Sequence, residues 1–231
     1  MSKTHVLSLG GSILVPDKID TAYIGAFGDM LRRHFSDYAN DRVVLVVGGG
    51  APARRYQTAC RELRPEVADE ALDWIGVAAT KLNAALIRHA LGDLCEDPVV
   101  SDPSAPPRFT GRVLVGSGWK PGFSTDYDAV LLAKHLGAER VYNLSNIAHV
   151  YESDPKTNPE AQPLESLSWT TFRNMVGDTW TPGGNLPFDP IAAAEADEAG
   201  LQVIVGDGRN LENIAAMLRG RPFEGTVIGA G

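Results

Sequence analysis

Residues 43–55, VVLVVGGGAPARR, decide how this chain folds. Five apolar residues of strand type lead into Gly48, Gly49 and Gly50, and two arginines follow shortly after. β-Branched residues favour a strand, and glycines let the backbone turn with no side chain in the way. Guanidinium groups of Arg54 and Arg55 are donors suited to a polyanion. The stretch predicts a phosphate-binding loop at the end of a buried strand.

This loop differs from the two commonest glycine-rich nucleotide motifs. It matches neither GxxxxGK[ST] nor GxGxxG, and no string of the first kind occurs elsewhere in the chain. The alternative is a tight turn or a helix C-cap, but such turns seldom need more than one residue at positive φ. Three consecutive glycines beside two arginines therefore favour anion binding.

Two further glycine-rich turns follow predicted strands, at residues 10–11 and 116–122. Hydrophobic periodicity predicts strands over 5–9, 42–47, 112–115 and 140–144, and helices over 19–34, 52–63, 66–91, 126–136 and 191–199. Ligands of an open parallel sheet bind outside the carboxyl ends of its strands. We therefore expect the three glycine-rich turns to line one edge of a mostly parallel α/β sheet.

Composition restricts the classes of partner. The chain has 231 residues, 44% of them apolar, which is enough for one large α/β core. Its net charge of −8 argues against nucleic acid or an anionic membrane as the main partner. An anionic substrate must then be held by local donors.

Cysteine and histidine patterns give no sign of a disulfide framework or a metal site. Cys60 and Cys95 lie in predicted helices without a CxxC motif, which is typical of a reducing compartment. The five histidines are isolated in sequence, so we expect no transition-metal site. The start of the chain lacks a long apolar segment, and no apolar run approaches the roughly 20 residues of a membrane span. We expect a cytoplasmic protein.

Seven short strings, in one order along nearly the whole chain, carry a family resemblance. They are LSLGGSIL, VVGGGAPARRY, DWIGVAATKLNAAL, GFSTDYDAVLLA, VYESDPKTNP, PFDPIAA and EGTVI. With these strings the chain resembles the amino-acid kinase superfamily, and within it the uridylate (UMP) kinases. The resemblance implies a three-layer αβα sandwich with a mostly parallel central sheet.

The resemblance also implies ligands and organisation. It implies one domain over residues 1–231, with about 1–140 binding the acceptor and about 141–231 binding ATP. Substrates would be ATP and UMP, with Mg²⁺ accompanying ATP, and the chain would form a homo-oligomer, by resemblance a hexamer.

For the acceptor half, the resemblance places Arg54 on the phosphate of UMP and Asp73 on its ribose hydroxyls. A guanidinium suits bidentate phosphate contact, and a carboxylate suits a vicinal diol. Arg55 is expected to be structural or interfacial. The UMP-binding set implied by the resemblance is Gly49, Gly50, Arg54, Asp73, Gly76, Thr125 and Asp126.

One cation expected from the resemblance is missing. Many relatives carry a lysine in the first strand, where this chain has Ser8. Phosphoryl transfer depends on positioning and charge stabilisation, so another cation must face the transferred phosphate. Our hypothesis is that Lys120 does so, with Mg²⁺ and the amides of Gly10 and Gly11; Lys18 is the second candidate.

For the donor half, Tyr151 and Asp154 match the family, whereas Ala148 and His149 depart from it. Asn146 would orient groups near the transferred phosphate, or could be a turn former. The resemblance implies an ATP-binding set of Gly10, Ser12, Asn146, Tyr151 and Asp154, and a catalytic set of Lys120, Gly10, Gly11, Asn146 and Asp189.

Asp189 has a second interpretation that needs no ligand. The pair Asp189-Pro190 is a typical helix start, with aspartate at the N-cap and proline at N1. In relatives an aspartate at this place lies near the metal-bound nucleotide. Both interpretations stay open at the level of sequence.

The function implied is transfer of the γ-phosphoryl group of ATP to UMP, which gives UDP and ADP. One alternative is a related kinase of another small phosphate or carboxylate, such as isopentenyl phosphate, although Asp73 suits a ribose better. The other is a storage protein that binds nucleotide or oxyanion, as the molybdenum storage proteins resemble these kinases. Replacement of the first-strand lysine by Ser8 keeps the second alternative open.

Overall fold

A computed structural model describes residues 3–105, 107–155, 157–177 and 186–229. Its strands, in chain order, are β1 (Thr4–Leu9), β2 (Arg42–Val47), β3 (Val113–Gly116), β4 (Arg140–Ser145), β5 (Val150–Tyr151), β6 (Pro163–Leu164), β7 (Ser166–Leu167), β8 (Gln202–Asp207) and β9 (Thr226–Ile228). Its helices are α1 (Gly11–Leu14), α2 (Thr21–Asp37), α3 (Gly50–Leu63), α4 (Asp69–Leu91), α5 (Thr125–Leu136), α6 (Trp169–Val176), α7 (Pro190–Glu198) and α8 (Leu211–Leu218).

A seven-stranded sheet forms the middle layer, in the order β3-β2-β1-β4-β8-β9-β7. The five strands from β3 to β8 run parallel, and among the described strands of this sheet the β8–β9 pairing alone is antiparallel. β5 and β6 form a separate antiparallel pair. The predicted αβα sandwich with a mostly parallel sheet is confirmed. Both predicted lobes contribute strands to this one sheet.

Each face of the sheet is covered by helices because the strands are apolar on both sides. Leu7 and Leu45 pack on one face against α2 and α4, while Val6 and Val44 pack on the other against α5 and α7. These four side chains have no exposed surface. Full burial of one such side chain stabilises the fold by roughly 1.5–3 kcal/mol, so the central strands hold the sandwich together.

None of the helices in the described ranges combines the length and the apolar character that a membrane span requires.

The predicted elements are present, with shifts at their ends. Strand β2 has the predicted bounds, whereas α2 begins at Thr21 because the side chain of Asp20 accepts the N–H of Tyr23 at 2.9 Å. α3 begins at Gly50, two residues before its predicted start, because Gly49 is its N-cap. The glycine triplet therefore starts a helix, and the helix C-cap alternative was wrong.

The loops after β1 and β2 touch through their backbones. A Cβ atom on Gly11 would lie 2.1 Å from the nitrogen of Gly50 and 2.5 Å from the carbonyl carbon of Gly48. A Cβ on Gly50, whose φ is 64°, would lie 2.4 Å from the oxygen of Gly11. We call the packing of Gly11, Gly48 and Gly50 the glycine contact. Each of the three positions requires glycine, because the Cβ atom of any other residue would collide with the backbone of the opposite loop.

We expect Gly11→Ala to lower the free energy of unfolding by at least about 3 kcal/mol, because backbone atoms at 2.1 Å can make room only if the loops separate. Urea denaturation measures this. Gly25→Ala is the matched control: Gly25 lies in α2 with no atom within 4 Å of an added Cβ, so alanine should stabilise by about 0.5–1 kcal/mol. Equal effects at both positions would contradict the glycine contact.

Candidate active site

A cavity of about 350 Å³ lies at the carboxyl ends of the first strands. The register Leu9↔Val47 and Val46↔Gly116 places the loops after β1, β2 and β3 side by side there. α4 and the start of α7 complete the wall. The sequence-predicted residues that line the cavity are Gly49, Gly50, Arg54, Asp73, Gly76, Lys120, Thr125, Asp126 and Asp189.

The glycine loop forms the anion-binding end of this cavity. Gly49 and Gly50 begin α3, and the first N–H groups of a helix attract anions. Arg54 lies one turn into the helix and lines the cavity. Arg55 instead pairs with Asp17. The two neighbouring arginines therefore differ in position as the sequence predicted.

Two polar residues of α4 hold the cavity's loops. Asn83 donates from its amide nitrogen to the carbonyl oxygens of Gly48 at 2.8 Å and Gly49 at 3.1 Å. The hydroxyl of Thr80 accepts the N–H of Gly118 at 2.8 Å. Neither role was predicted, because the sequence shows only that Thr80 and Asn83 share a helix face and not which loops they contact. Through them, α4 positions the loop after β2 and the loop after β3.

Asp73 also contacts the loop after β3. One of its carboxylate oxygens accepts the N–H of Gly122 at 3.0 Å. On the same helix, an added Cβ on Gly76 would lie 3.0 Å from the side-chain nitrogen of Gln57, which donates to the carbonyl oxygen of Leu72 at 2.9 Å. Gly76 thus permits the close approach of α3 and α4 at the cavity wall.

Lys120 is placed beside aromatic rings. Its ammonium group lies 3.7 Å from the ring centre of Trp119 and 5.1 Å from that of Phe123. Such cation–π contacts contribute about 0.5–1 kcal/mol at exposed sites and more when water is excluded. The contacts hold a positive charge at the cavity, whereas Lys18 is exposed and does not line it.

Carboxyl groups lie close together beneath the cavity. The hydroxyl of Ser8 donates to Asp126 at 2.7 Å, and burial raises the pKa of Asp126 to about 6, with the negative charge of Asp189 adding to the shift. Asp189 accepts the N–H groups of Ile191 at 2.6 Å and Ala192 at 3.2 Å. The predicted N-cap role of Asp189 is confirmed, and its second oxygen is buried without a hydrogen-bond partner in the described part of the chain.

Asp128 is a buried carboxyl that sequence analysis missed. One oxygen accepts the N–H of Trp119 at 3.2 Å, and the other has no hydrogen-bond partner among the described residues. Burial, with a smaller contribution from the charges of Asp126 and Asp189, raises the pKa of Asp128 to about 8. The loop that carries Lys120 is thus anchored on a carboxyl that stays protonated at neutral pH.

The residues predicted to bind ATP lie outside this cavity. Gly10 donates its N–H to the carbonyl oxygen of Leu144 at 2.9 Å, so the ends of β1 and β4 meet beside it. Ser12 belongs to α1, and Asn146 is exposed directly after β4. Tyr151 is in β5 and Asp154 follows it, exposed. The structure groups Gly10, Ser12 and Asn146 at neighbouring strand ends, and the roles of all five residues stay predictions.

Comparison with known proteins agrees with this architecture. The model of the amino acid kinase family matches residues 3–207. A uridylate kinase of Methanospirillum hungatei is 35% identical over 97% of this chain and 94% of its own. One from Pyrococcus abyssi is 31% identical, over 96% and 98%. The crystal structure of uridylate kinase from Archaeoglobus fulgidus superimposes with a TM-score of 0.82 at 32% identity, covering 98% of this chain and 99% of that one.

The chain belongs to the amino acid kinase family. A UMP kinase from Bacillus anthracis, only 18% identical, shares the fold with a TM-score of 0.77. The family resemblance predicted from seven short strings is confirmed.

The carboxyl of Asp128 makes stability depend on pH. Its pKa is about 8 when folded and near 3.8 when unfolded, so stability falls as pH rises from about 4 to 8 and is constant above. In Asp128→Asn the side-chain oxygen can still accept the N–H of Trp119, and the amide does not titrate. We expect the stability of Asp128→Asn relative to the parent to rise by up to about 4 kcal/mol between pH 5 and pH 8.5.

Thermal unfolding at the two pH values measures this difference. Glu62→Gln, on the exposed part of α3, is the matched control and should show no pH-dependent difference from the parent. A constant difference between Asp128→Asn and the parent across this range would contradict a protonated Asp128.

Proposed function

We propose that this protein is an ATP-dependent UMP kinase, which transfers the γ-phosphoryl group of ATP to UMP and yields UDP and ADP. The observation that carries the proposal is the cavity in which Arg54, Asp73 and Lys120 meet at the start of α3. It combines donors for a phosphate with an acceptor for a ribose. Full-length relatives named uridylate kinase support this choice of acceptor.

In the proposed complex, UMP lies along the wall formed by α3 and α4. The fork of Arg54 binds the phosphate together with the amides of Gly49 and Gly50, since helix N-termini and guanidinium groups both favour phosphate oxygens. Asp73 accepts the ribose hydroxyls, and Gly76 leaves the sugar room to approach. Thr125 and Asp126, at the start of α5, would contact the nucleotide from the opposite wall.

The transferred phosphoryl group would lie between the glycine contact and Lys120. The acceptor phosphate is already an anion near neutral pH, so no general base is needed and catalysis consists of alignment and charge stabilisation. Lys120 supplies positive charge, and the amide of Gly11 supplies a donor from the side of β1. The expected donation from Gly10 is excluded, because its N–H already donates to the carbonyl oxygen of Leu144. Ser8 donates a hydrogen bond to Asp126 and is uncharged, so it does not replace the first-strand lysine of relatives.

Asp126 and Asp189 suit a magnesium ion. Both are hard oxygen ligands that line the cavity, and the second oxygen of Asp189 is buried with no hydrogen-bond partner in the described ranges. Mg²⁺ bound with ATP would screen the negative charge of the phosphates. The protein residues that would hold it are these two carboxylates, with the remaining ligands coming from ATP and water.

ATP is proposed to lie beyond the end of β4, on the half of the chain from about residue 141. Gly10 and Ser12 would approach its phosphates, and Asn146 would orient the γ-phosphate. Tyr151 and Asp154 would hold the adenosine. Residues 1–140 would then act as the acceptor lobe. As ATP and UMP are cytoplasmic metabolites, we propose the cytoplasm as its location and pyrimidine nucleotide synthesis as its role.

We also propose that the chain forms a homo-oligomer. Apolar side chains are exposed on α3 and α4, where Tyr56 is 71%, Leu63 88% and Leu82 69% exposed. Contact with another copy would remove this surface from water, which is the usual reason for such a patch. Light scattering gives the mass of the assembly directly.

Arg54→Ala should raise the KM for UMP at least 100-fold with little change in the KM for ATP, because it removes a bidentate contact to the acceptor only. Steady-state kinetics with a coupled ADP assay measures both constants. Arg55→Ala is the matched control and should change the KM for UMP less than threefold, since Arg55 pairs with Asp17 away from the cavity.

The same assay with UMP, CMP, isopentenyl phosphate, acetylglutamate and carbamate tests the acceptor. We expect the highest kcat/KM with UMP. Turnover of isopentenyl phosphate above that of UMP, or tight nucleotide binding with no turnover of any acceptor, would refute the proposed reaction.

Lys120→Ala should lower kcat at least 100-fold while the KM for UMP changes less, because its charge is needed most in the transition state. Lys18→Ala, which removes the second candidate cation, is the control and should leave kcat within a factor of two. The reverse ranking of the two variants would assign the charge to Lys18, and full turnover in Lys120→Ala would exclude Lys120.

A further inference from the structure

Three buried side chains that the proposed reaction does not use meet at the opposite edge of the sheet. His5 is the second residue of β1, His34 belongs to the last turn of α2, and Asp41 directly precedes β2. One nitrogen of each histidine and one oxygen of the aspartate lie within 4.8 Å of one another. The strands begin here and end at the proposed active site, so the cluster is separate from it.

The distances within this cluster are long for hydrogen bonds to a carboxylate. The Nε2 atoms of His5 and His34 lie 3.2 Å and 3.3 Å from the same oxygen of Asp41. Hydrogen bonds between a charged donor and a carboxylate are usually about 2.7–2.9 Å long. Ligands on a tetrahedral ion, at bond lengths of about 2.0–2.1 Å, lie about 3.3–3.4 Å apart. The observed distances of 3.2 Å and 3.3 Å are close to this separation of ligands around an ion.

The orientation of the two rings is also compatible with a shared ion. The ring centres of His5 and His34 lie 5.6 Å apart, and their planes are inclined by 86°. Two imidazoles bound through one nitrogen each to a tetrahedral ion have ring centres about 5 Å apart. Both Nε2 atoms approach the same oxygen of Asp41, so the three potential ligand atoms surround one small space.

Neighbouring groups hold two of the three ligands in place. The other ring nitrogen of His5 lies 3.4 Å from the hydroxyl of Tyr142, and the second oxygen of Asp41 accepts the N–H of Lys3 at 3.0 Å. Partners of this kind set the tautomer and direction of metal ligands. His5 and Tyr142 also line a cavity of about 460 Å³, through which an ion and a water ligand can enter.

We propose that His5, His34 and Asp41 bind one divalent transition-metal ion, with Zn²⁺ as the reference ion, through two imidazole nitrogens and one carboxylate oxygen. The ion joins the start of β1 to the end of α2 and stabilises the folded chain. Two imidazoles and a carboxylate suit ions of this class better than Mg²⁺ or Ca²⁺. The fourth position is left to water from the adjoining cavity.

This inference departs from the prediction that the chain has no transition-metal site. The five histidines are isolated in sequence, and His5 and Asp41 are 36 positions apart with no short ligand motif that joins them. The fold contradicts that isolation. Sequence spacing reveals metal sites when all the ligands are close in the chain, whereas here the pairing of β1 with β2 brings His5 to His34 and Asp41.

The test uses untagged, chelator-treated protein titrated with Zn²⁺ and, separately, with Co²⁺. We expect one Zn²⁺ per chain by elemental analysis after gel filtration, with a Kd below about 1 µM, and a rise in Tm of about 5 °C at 100 times the Kd. Co²⁺ should give the visible absorption of a four-coordinate site. Neither readout depends on kinase activity, so failure of the proposed reaction would leave both unchanged.

His34→Gln and His5→Gln should each weaken Zn²⁺ binding at least 100-fold and abolish the Co²⁺ absorption. His135→Gln, at an exposed position of α5, is the control and should bind like the parent. The titration of the parent protein does not depend on whether any variant folds. Binding of less than roughly 0.2 Zn²⁺ per chain in that titration would overturn the proposal. Unchanged binding in both folded glutamine variants would overturn it too, and the cluster would then be a hydrogen-bonded pair of histidines on Asp41.

Discussion

The site depends on the contact between Gly11 and the loop after β2. An added Cβ on Gly11 would lie 2.1 Å from the backbone of Gly50, which is a closer approach than any other residue allows. Backbone at this distance brings the starts of α1 and α3 together at the edge of the sheet. In the proposed complex, phosphate oxygens lie beside this contact, at the start of α3.

The rest of the cavity is built by attaching neighbouring loops to that fixed point. α4 holds the glycine loop through Asn83 and the loop of Lys120 through Thr80. Asp128 holds the same loop from the other side by accepting the N–H of Trp119. A chain with net charge −8 has no overall attraction for anions, so the cations of Arg54 and Lys120 must be placed individually.

Sequence alone predicted the features that depend on local pattern. β2 has the predicted bounds, because five buried apolar residues and a glycine triplet define both of its ends. Asp189 caps α7 as its neighbour Pro190 indicated. Arg54, Asp73 and Lys120, which were singled out through the family resemblance, line one cavity, where glycine-rich turns at parallel strand ends converge.

The features that sequence alone could not predict arise from contacts between distant segments. In the sequence, Asp128 is an ordinary polar helix residue, and only the fold shows that it accepts the N–H of Trp119. In the same way, the hydrogen bond from Asn83 to the glycine loop is visible only in the fold. His5, His34 and Asp41 have no common motif, and they meet where the pairing of β1 with β2 brings His5 beside the end of α2 and Asp41. The start of α3 differs from the predicted residue 52 for a simpler reason: Gly49 is the N-cap and Gly50 the first residue of the helix, so the glycines do not precede it.

A crystal structure of the protein with UMP and a non-hydrolysable ATP analogue tests the central claim most directly. The account predicts the UMP phosphate within hydrogen-bond distance of Arg54 and the amides of Gly49 and Gly50, with the ribose hydroxyls on Asp73. It also predicts the γ-phosphate of the analogue between the glycine contact and Lys120. UMP bound away from the glycine loop, with Arg54 free of phosphate, would contradict the account.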